Sequence, residues 1–139
     1  MQLRRENPWH TLGRYPELWI IYDVLEDGVG AQWQGWFIVL DERLDQVERR
    51  CALMHEIVHF ERQVGWPDAT AATMEREEAI VRREAAVRLV PTGALGRFVA
   101  VRGEVEAITA EVVAQEFEVT RSVAIEAMWV LARREGMAA

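Results

Sequence analysis

Two apolar stretches near the start of the chain are rich in aromatic and β-branched residues. They are residues 17–25 (ELWIIYDVL) and residues 35–40 (GWFIVL), and residues 26–30 (EDGVG) between them are of turn-forming types. Aromatic and β-branched residues favour strands, whereas Gly and Asp favour turns. The pattern therefore predicts two strands of a small antiparallel sheet.

The next segment, residues 41–64, has the periodicity of a long helix. Gly65 and Pro67 predict its end, because Gly favours the position after a helix and Pro cannot continue one. A helix that is apolar on more than one side is usually buried in the centre of a domain. One apolar side consists of Leu44, Val47, Cys51, Met54 and Val58, and the other of Leu53, Ile57, Phe60 and Val64.

Three further helices are predicted after this segment. The strongest spans residues 70–90 and ends at Pro91, and two weaker ones span residues 101–117 and 120–134. Strands followed by a run of helices are typical of α+β domains. We therefore expect an α+β fold, in which a small N-terminal antiparallel sheet packs on the central helix and further helices follow.

Composition narrows the class of protein. The 139 residues fit a single domain, half of them are hydrophobic, and 28% are charged, as in a folded globular protein. The net charge of −7 argues against binding of nucleic acid by bulk attraction to phosphate. Cys51 is the only cysteine, so no intrachain disulfide can form. Neither a signal peptide nor an apolar run of about 20 residues is visible, so we expect a soluble, cytoplasmic protein with no membrane partner.

The central helix contains a candidate metal-binding motif, His55-Glu56-Ile57-Val58-His59. This is the HExxH pattern, and residues four apart share one helical face, so both imidazoles can reach one ion at about 2.0–2.1 Å. Glu56 lies about 100° round the helix, within reach of a water on that ion. A zinc ion activates such a water, and Glu56 can accept its proton as general base. The structural alternative is that the two histidines are packed in a core helix and bind no metal.

Zinc needs a third protein ligand and one open position for catalysis. Four acids on the second predicted helix compete for this role, Glu75, Glu77, Glu78 and Glu84. Glu78 falls within the apolar stripe of that helix, and a buried carboxylate needs a partner such as a metal ion. We therefore predict Glu78 as third ligand, with a salt bridge to Arg82 as the structural alternative. The stripe consists of Met74, Val81, Ala85 and Leu89.

Several segments together resemble the ImmA/IrrE family of metallo-endopeptidases, in particular its short actinobacterial and phage-borne members. The segments are residues 7–9 (NPW), 40–44 (LDERL), 48–50 (ERR), 54–62 (MHEIVHFER), 76–79 (REEA) and 88–91 (RLVP), and the similarity covers about residues 7–134. The resemblance implies a zincin-like zinc peptidase whose third ligand is a Glu from a following helix. It also implies a helix-turn-helix repressor as substrate, since relatives cleave repressors of mobile elements. One position departs from the family, because Arg82 stands where relatives commonly have Asn or Asp.

The C-terminal part, about residues 92–139, is expected to be a helical subregion beside a catalytic core of about residues 1–91. Within it, residues 112–131 resemble a helix-turn-helix, with Thr120 as N-cap of the second helix. Glu118 replaces the usual turn glycine, and the second helix offers few bases, so direct nucleic-acid binding is not expected. A packing element or a dock for a repressor fits better. Its core positions would be Ala114, Val119, Val123 and Met128.

Three other features have a functional and a structural interpretation. Cys51 could approach the metal, but we predict a small buried hydrophobe and not a ligand. The strand at residues 35–40 could pair with an extended substrate if it lies at a sheet edge. The tryptophans could line a peptide groove, although we predict that most are core or half-buried packing residues. They are Trp9, Trp19, Trp33, Trp36, Trp66 and Trp129.

The sequence thus favours a zinc-dependent endopeptidase that acts on a specific protein, and the resemblance implies that this protein is a repressor of a phage or mobile element. Two rivals stay open. One is a non-catalytic zinc-fold module that sequesters a repressor or binds DNA, and the other is a DNA-binding protein in which HExxH is a coincidence.

Overall fold

The computed structural model describes residues 4–62 and 71–136. Its small sheet precedes most of the helices, which confirms the predicted α+β class. The part of the chain that the structure describes contains three strands and six helices. In chain order these are α1 (Pro8–Leu12), β1 (Trp19–Asp23), β2 (Ala31–Gln34), β3 (Phe37–Asp41), α2 (Gln46–Glu61), α3 (Ala71–Leu89), α4 (Thr92–Arg102), α5 (Ala110–Phe117) and α6 (Arg121–Arg134).

The sheet is mixed, with strand order β1-β3-β2. β3 pairs with β1 in parallel, from Trp19 opposite Phe37 to Asp23 opposite Asp41, and with β2 in antiparallel. The two predicted strands are therefore present, but their expected antiparallel pairing is wrong. The reason is β2, which the sequence pattern did not reveal. It runs back from the end of β1 and joins β3 by a two-residue hairpin, so that β3 lies between the other two strands.

The central helix α2 begins later than predicted. Asp41 still belongs to β3, and Asp45 is the N-cap, where its side chain accepts a hydrogen bond from the Glu48 N–H while the Glu48 side chain accepts one from the Asp45 N–H. This reciprocal capping box fixes the helix start. The last helical residue is Glu61. The predicted stop signal at Gly65 and Pro67, residue Val64 and the predicted helix start at Thr70 lie outside the described residues.

The later helices differ from the prediction between residues 91 and 110. The predicted helix over residues 101–117 is two helices, because α4 ends at Arg102 and α5 begins at Ala110, where the Thr109 side chain caps the new helix. Pro91 ends α3 and also precedes α4, a helix that was not predicted. The prediction for residues 120–134 is confirmed by α6.

Helix α2 lies between two hydrophobic clusters, as its two apolar sides predicted. One side packs on the sheet, where Leu53 and Ile57 lie with Ile38 and Leu40, all fully buried. The opposite side packs on α3 and on the C-terminal helices. That cluster includes Cys51, Met54, Val58, Val81, Ala85, Leu89, Val113, Phe117, Ala124, Ala127 and Leu131. Met74, predicted in the buried stripe of α3, is 60% exposed, because the stripe is covered only from Val81 onward.

The tryptophans are more exposed than predicted. Trp19, Trp36 and Trp129 are each more than half exposed, and Trp9 is 36% exposed. Trp33 is half-buried, with its ring centroid 6.3 Å from that of Phe60. Most described tryptophans are therefore not core residues, while Trp66 lies outside the described residues. No helix in the described ranges is long and apolar enough to cross a membrane.

A buried carboxylate joins the sheet to the start of α2. Asp41 is 3% exposed and accepts hydrogen bonds from the Leu25 N–H at 3.1 Å and from the Arg43 N–H and Nε, both at 2.9 Å. The guanidinium of Arg43 also donates to the Leu25 carbonyl at 2.8 Å. These bonds hold the pKa of Asp41 well below its usual range, chiefly through Arg43.

We expect the Asp41→Asn variant to be less stable than the wild type at neutral pH. A depressed pKa in the folded state means that the ionised form stabilises the fold above pH 4, and that this contribution is lost as the pH falls further. The stability difference should therefore be largest at pH 7 and shrink below pH 4, as urea unfolding can measure. Asp27→Asn, at an exposed turn position, is the control. An equal difference at pH 7 and pH 3 would contradict the ionic role.

Candidate metal centre

Three predicted ligands converge between α2 and α3. His55 and His59 lie one turn apart on α2, with ring centroids 4.9 Å apart. The carboxylate of Glu78, on α3, lies between them, with Oε1 2.6 Å from His55 Nε2 and Oε2 2.8 Å from His59 Nε2. One ligand atom from each residue lies within 4.8 Å of the others. The structure thus brings together the three residues that the sequence singled out.

The other acids considered for the third position have different surroundings. Glu77 accepts hydrogen bonds from Arg62 at 2.6 and 3.0 Å, and its side chain is 14% exposed. Glu84 lies 3.9 Å from the same arginine, and Glu75 is exposed. Of these four acids, Glu78 is the one that the structure groups with the two histidines.

The donor set fits a divalent metal ion. Two imidazoles and one carboxylate with an open fourth position form a combination used by catalytic zinc sites. Bond lengths of about 2.0–2.1 Å in a tetrahedral site separate neighbouring donors by about 3.4 Å. Each imidazole nitrogen lies slightly closer than this to the Glu78 carboxylate, so an ion requires the carboxylate to withdraw by less than about 1 Å.

Burial also keeps one histidine in the form that binds metal. The pKa of His55 is lowered, mainly by burial, while the negative charge of Glu78 acts in the opposite direction. A lowered pKa favours the neutral imidazole at pH 7, and only the neutral ring has a lone pair free for a metal. His10, the remaining histidine, lies on α1 and is not part of this cluster.

Glu56 lies beside the cluster and is buried. The residue is 8% exposed. Its pKa is raised to about 7, mainly by burial and also by the negative charge of Glu78. The backbone N–H of Trp33 lies close enough to the Glu56 carboxylate to favour its ionised form, which opposes this shift. A strand that the sequence analysis missed therefore lies beside the predicted base. The only sequence sign of β2 was Gly35, which has a φ of 60° in the two-residue turn to β3.

The histidines and both glutamates line a cleft with a volume of about 600 Å³. One wall comes from residues 28–31, before and within β2, and a second wall from α3 and the start of α6. This second wall contains Arg82, which the sequence analysis considered as a salt-bridge partner of Glu78 and as a departure from the family pattern. From the start of α6 come its N-cap Thr120 and residues Ser122, Val123 and Glu126.

Cys51 is buried, as predicted. It is 7% exposed, and its sulfur accepts a hydrogen bond from the Thr120 N–H at 3.4 Å. Burial raises the pKa of the thiol, so it stays protonated at neutral pH. The cysteine is not among the three residues of the metal cluster.

Strand β3, considered above for pairing with a substrate, is the central strand and has neighbours on both sides. In the described part of the sheet, β2 and β1 are the edge strands, and Ala31 of β2 lines the cleft. An extended peptide in the cleft would therefore meet β2 and not β3.

The segment that resembles a helix-turn-helix consists of two helices joined by a short turn, and it offers little positive charge. Glu118 adopts the left-handed conformation, with a φ of 55°, and Thr120 caps α6 as predicted. Arg121, at the start of α6, forms an ion pair with Glu111 at 2.6 Å. The expected core positions all pack in the larger cluster, namely Ala114, Val119, Val123 and Met128.

Comparison with known families gives a match over most of the chain. The model of a peptidase family described as the IrrE N-terminal-like domain matches residues 22–128. This range contains the three clustered residues, Glu56 and both walls of the cleft. No curated protein and no solved structure matches the chain.

Proposed function

Because this chain belongs to the IrrE N-terminal-like family of peptidases, we propose that it is a zinc-dependent endopeptidase that hydrolyses a peptide bond in a specific protein. The observation that carries the proposal is the convergence of His55, His59 and Glu78 in a cleft, with the buried carboxylate of Glu56 beside them. A structural pair of core histidines would need neither the acid from α3 nor the cleft.

In this proposal His55, His59 and Glu78 hold the ion. Two nitrogen donors and one carboxylate oxygen suit zinc, which tolerates a four-coordinate site with one open position. When bound, zinc would act as a Lewis acid that polarises the peptide carbonyl and lowers the pKa of a bound water to about 7.

Glu56 is proposed to move the proton. As general base its carboxylate takes a proton from the attacking water, and as general acid it gives that proton to the leaving amine. The backbone N–H of Trp33 lies near this carboxylate and favours its ionised form, which is the form that can accept a proton. A positive ion nearby would lower the raised pKa of Glu56 and keep the group ionised at neutral pH.

The edge of β2 is proposed to bind the substrate backbone. Within the described sheet β2 pairs on one side only, with β3, so the backbone groups of its other edge, apart from the Trp33 N–H that faces Glu56, can pair with an extended peptide. Ala31 lies in the cleft and Trp33 contacts the base, which brings this edge beside the metal residues.

The proposed substrate is a helix-turn-helix repressor of a phage or mobile element, on the basis of the resemblance noted above. The start of α6 borders the cleft and offers a surface that such a protein can contact during cleavage. Repressors act on DNA inside the cell, so we propose that the protein works in the cytoplasm.

Incubation with the repressor encoded beside this gene tests the proposal. We expect about one zinc per chain by elemental analysis and cleavage of the repressor into two fragments. Chelation should stop cleavage and added zinc should restore it. A zinc-loaded protein that releases the repressor from its operator without cutting it would favour the sequestration module instead. Absence of bound metal would contradict both proposals.

A further inference from the structure

Among the described residues, Arg82 has no ionic partner, and the cleft that it lines is otherwise acidic. It is the only arginine or lysine among the described residues that line the cleft. The ion pairs formed by these lining residues do not include it. The nearby arginines are engaged, since Arg62 pairs with Glu77 at 2.6 Å and Arg83 lies 3.9 Å from Glu126. The alternative considered for Glu78, a salt bridge to Arg82, is not formed, because that carboxylate lies between the two histidines.

The position of Arg82 is fixed relative to the metal cluster. It lies four residues after Glu78 on α3, so both side chains leave the same face of the helix and their Cα atoms are about 6 Å apart along its axis. An extended peptide advances about 3.3 Å per residue. The Arg82 side chain therefore starts from the helix about as far from Glu78 as one or two residues of an extended substrate, which matches a substrate side chain beside the scissile bond.

The surroundings of Arg82 suit an anionic group. The hydroxyls of Thr120 and Ser122 lie on the same wall, 3.2 Å from each other, and Ser122 is exposed. A guanidinium donates two parallel hydrogen bonds to a carboxylate, and a hydroxyl can add a third. The cleft also contains the carboxylates of Glu56 and Glu78, which repel an anion. Arg82 is therefore the group in the cleft that can attract an acidic side chain.

From these observations we propose that Arg82 is a specificity-determining residue that binds an acidic side chain of the substrate beside the scissile bond. The inference rests on the proposed peptidase function and deepens it. It assigns no role in the chemical step to Arg82, and it predicts which peptide bonds the cleft selects.

Two peptide hydroxamates that differ only in Glu or Gln at the residue next to the hydroxamate test the proposal without requiring hydrolysis. Calorimetry on the zinc-loaded full chain should give about tenfold tighter binding of the Glu compound. The preference should vanish in Arg82→Met, and Arg82→Glu should prefer a Lys compound instead. Arg83→Met is the matched control, because this neighbouring arginine lies outside the cleft and should keep the preference.

The outcomes separate this inference from the proposed function. Tight binding of both hydroxamates with equal affinity would overturn the role of Arg82 and leave the zinc peptidase intact. A preference for Glu that survives in Arg82→Met would overturn it as well. Binding of neither compound to zinc-loaded protein would refute the metal-centred function itself, and with it the inference. Both substituted positions are exposed, so folding should be retained, and thermal unfolding can verify this.

Discussion

The Glu56→Gln variant is expected to lose peptide hydrolysis by about 10²–10⁴-fold while it keeps its zinc. Glutamine preserves the size of the side chain and can still contact the Trp33 N–H, but it cannot accept a proton from water. The three metal residues are unchanged, so the metal content should remain at one ion per chain. Cleavage assays and elemental analysis on the same preparation measure the two quantities.

The stability of metal-free Glu56→Gln provides an independent check that the variant is folded. In the absence of metal, burial raises the pKa of Glu56 to about 7. A raised carboxyl pKa means that the ionised form destabilises the fold, and this cost grows as the pH rises from about 4.5 to 7. The variant should therefore be more stable than the wild type at pH 8, by at most about 3 kcal/mol, and equal to it near pH 4.

Glu75→Gln is the matched control for catalysis. It makes the same chemical change at an exposed position on α3, outside the metal cluster, and should leave both hydrolysis and zinc unchanged. Hydrolysis by Glu56→Gln at more than a tenth of the wild-type rate would mean that another group takes the proton. Loss of zinc from Glu56→Gln would mean that this glutamate supports the ligands and not the chemical step.

The predictable part of the site is local in sequence. His55, Glu56 and His59 lie within five residues of one helix, so helical periodicity alone determines which side chains share a face. Glu78 was predicted because it lies in an apolar stripe, a weaker argument, since Met74 of the same stripe is exposed. Periodicity identifies which face of a helix is apolar. How many turns of that face are buried depends on the neighbouring elements, and therefore on the whole fold.

The unpredicted features all depend on contacts between distant segments. The pairing of β1 with β3 required knowledge of β2, whose four residues (AQWQ) lack a strong strand pattern. The Trp33 N–H reaches Glu56 only because that short strand lies beside α2. Spacing along one helix also allowed a salt bridge between Arg82 and Glu78, but His55 and His59, from another helix, contact that carboxylate. Local spacing does not reveal such competition.

Removal of Glu78, the proposed third ligand, should have the largest effect on metal binding. We expect Glu78→Ala to weaken zinc binding by more than about 100-fold, because outer residues around metal sites already contribute about 10–100-fold. The two histidines would remain, but they leave two coordination positions to water. Competition with a chromophoric chelator measures the affinity, and the loss of zinc should abolish hydrolysis in the same variant.

Two other acids of α3 make this test specific. Glu84→Ala is the matched control, because the side chains of Glu78 and Glu84 are both 40% exposed and only the former contacts the histidines. It should bind zinc as the wild type does. Glu77→Ala tests the rival ligand, and we expect a smaller effect, because Arg62 already holds that carboxylate. If Glu77→Ala lost zinc while Glu78→Ala kept it, α3 would have to present a different face to α2 when metal binds.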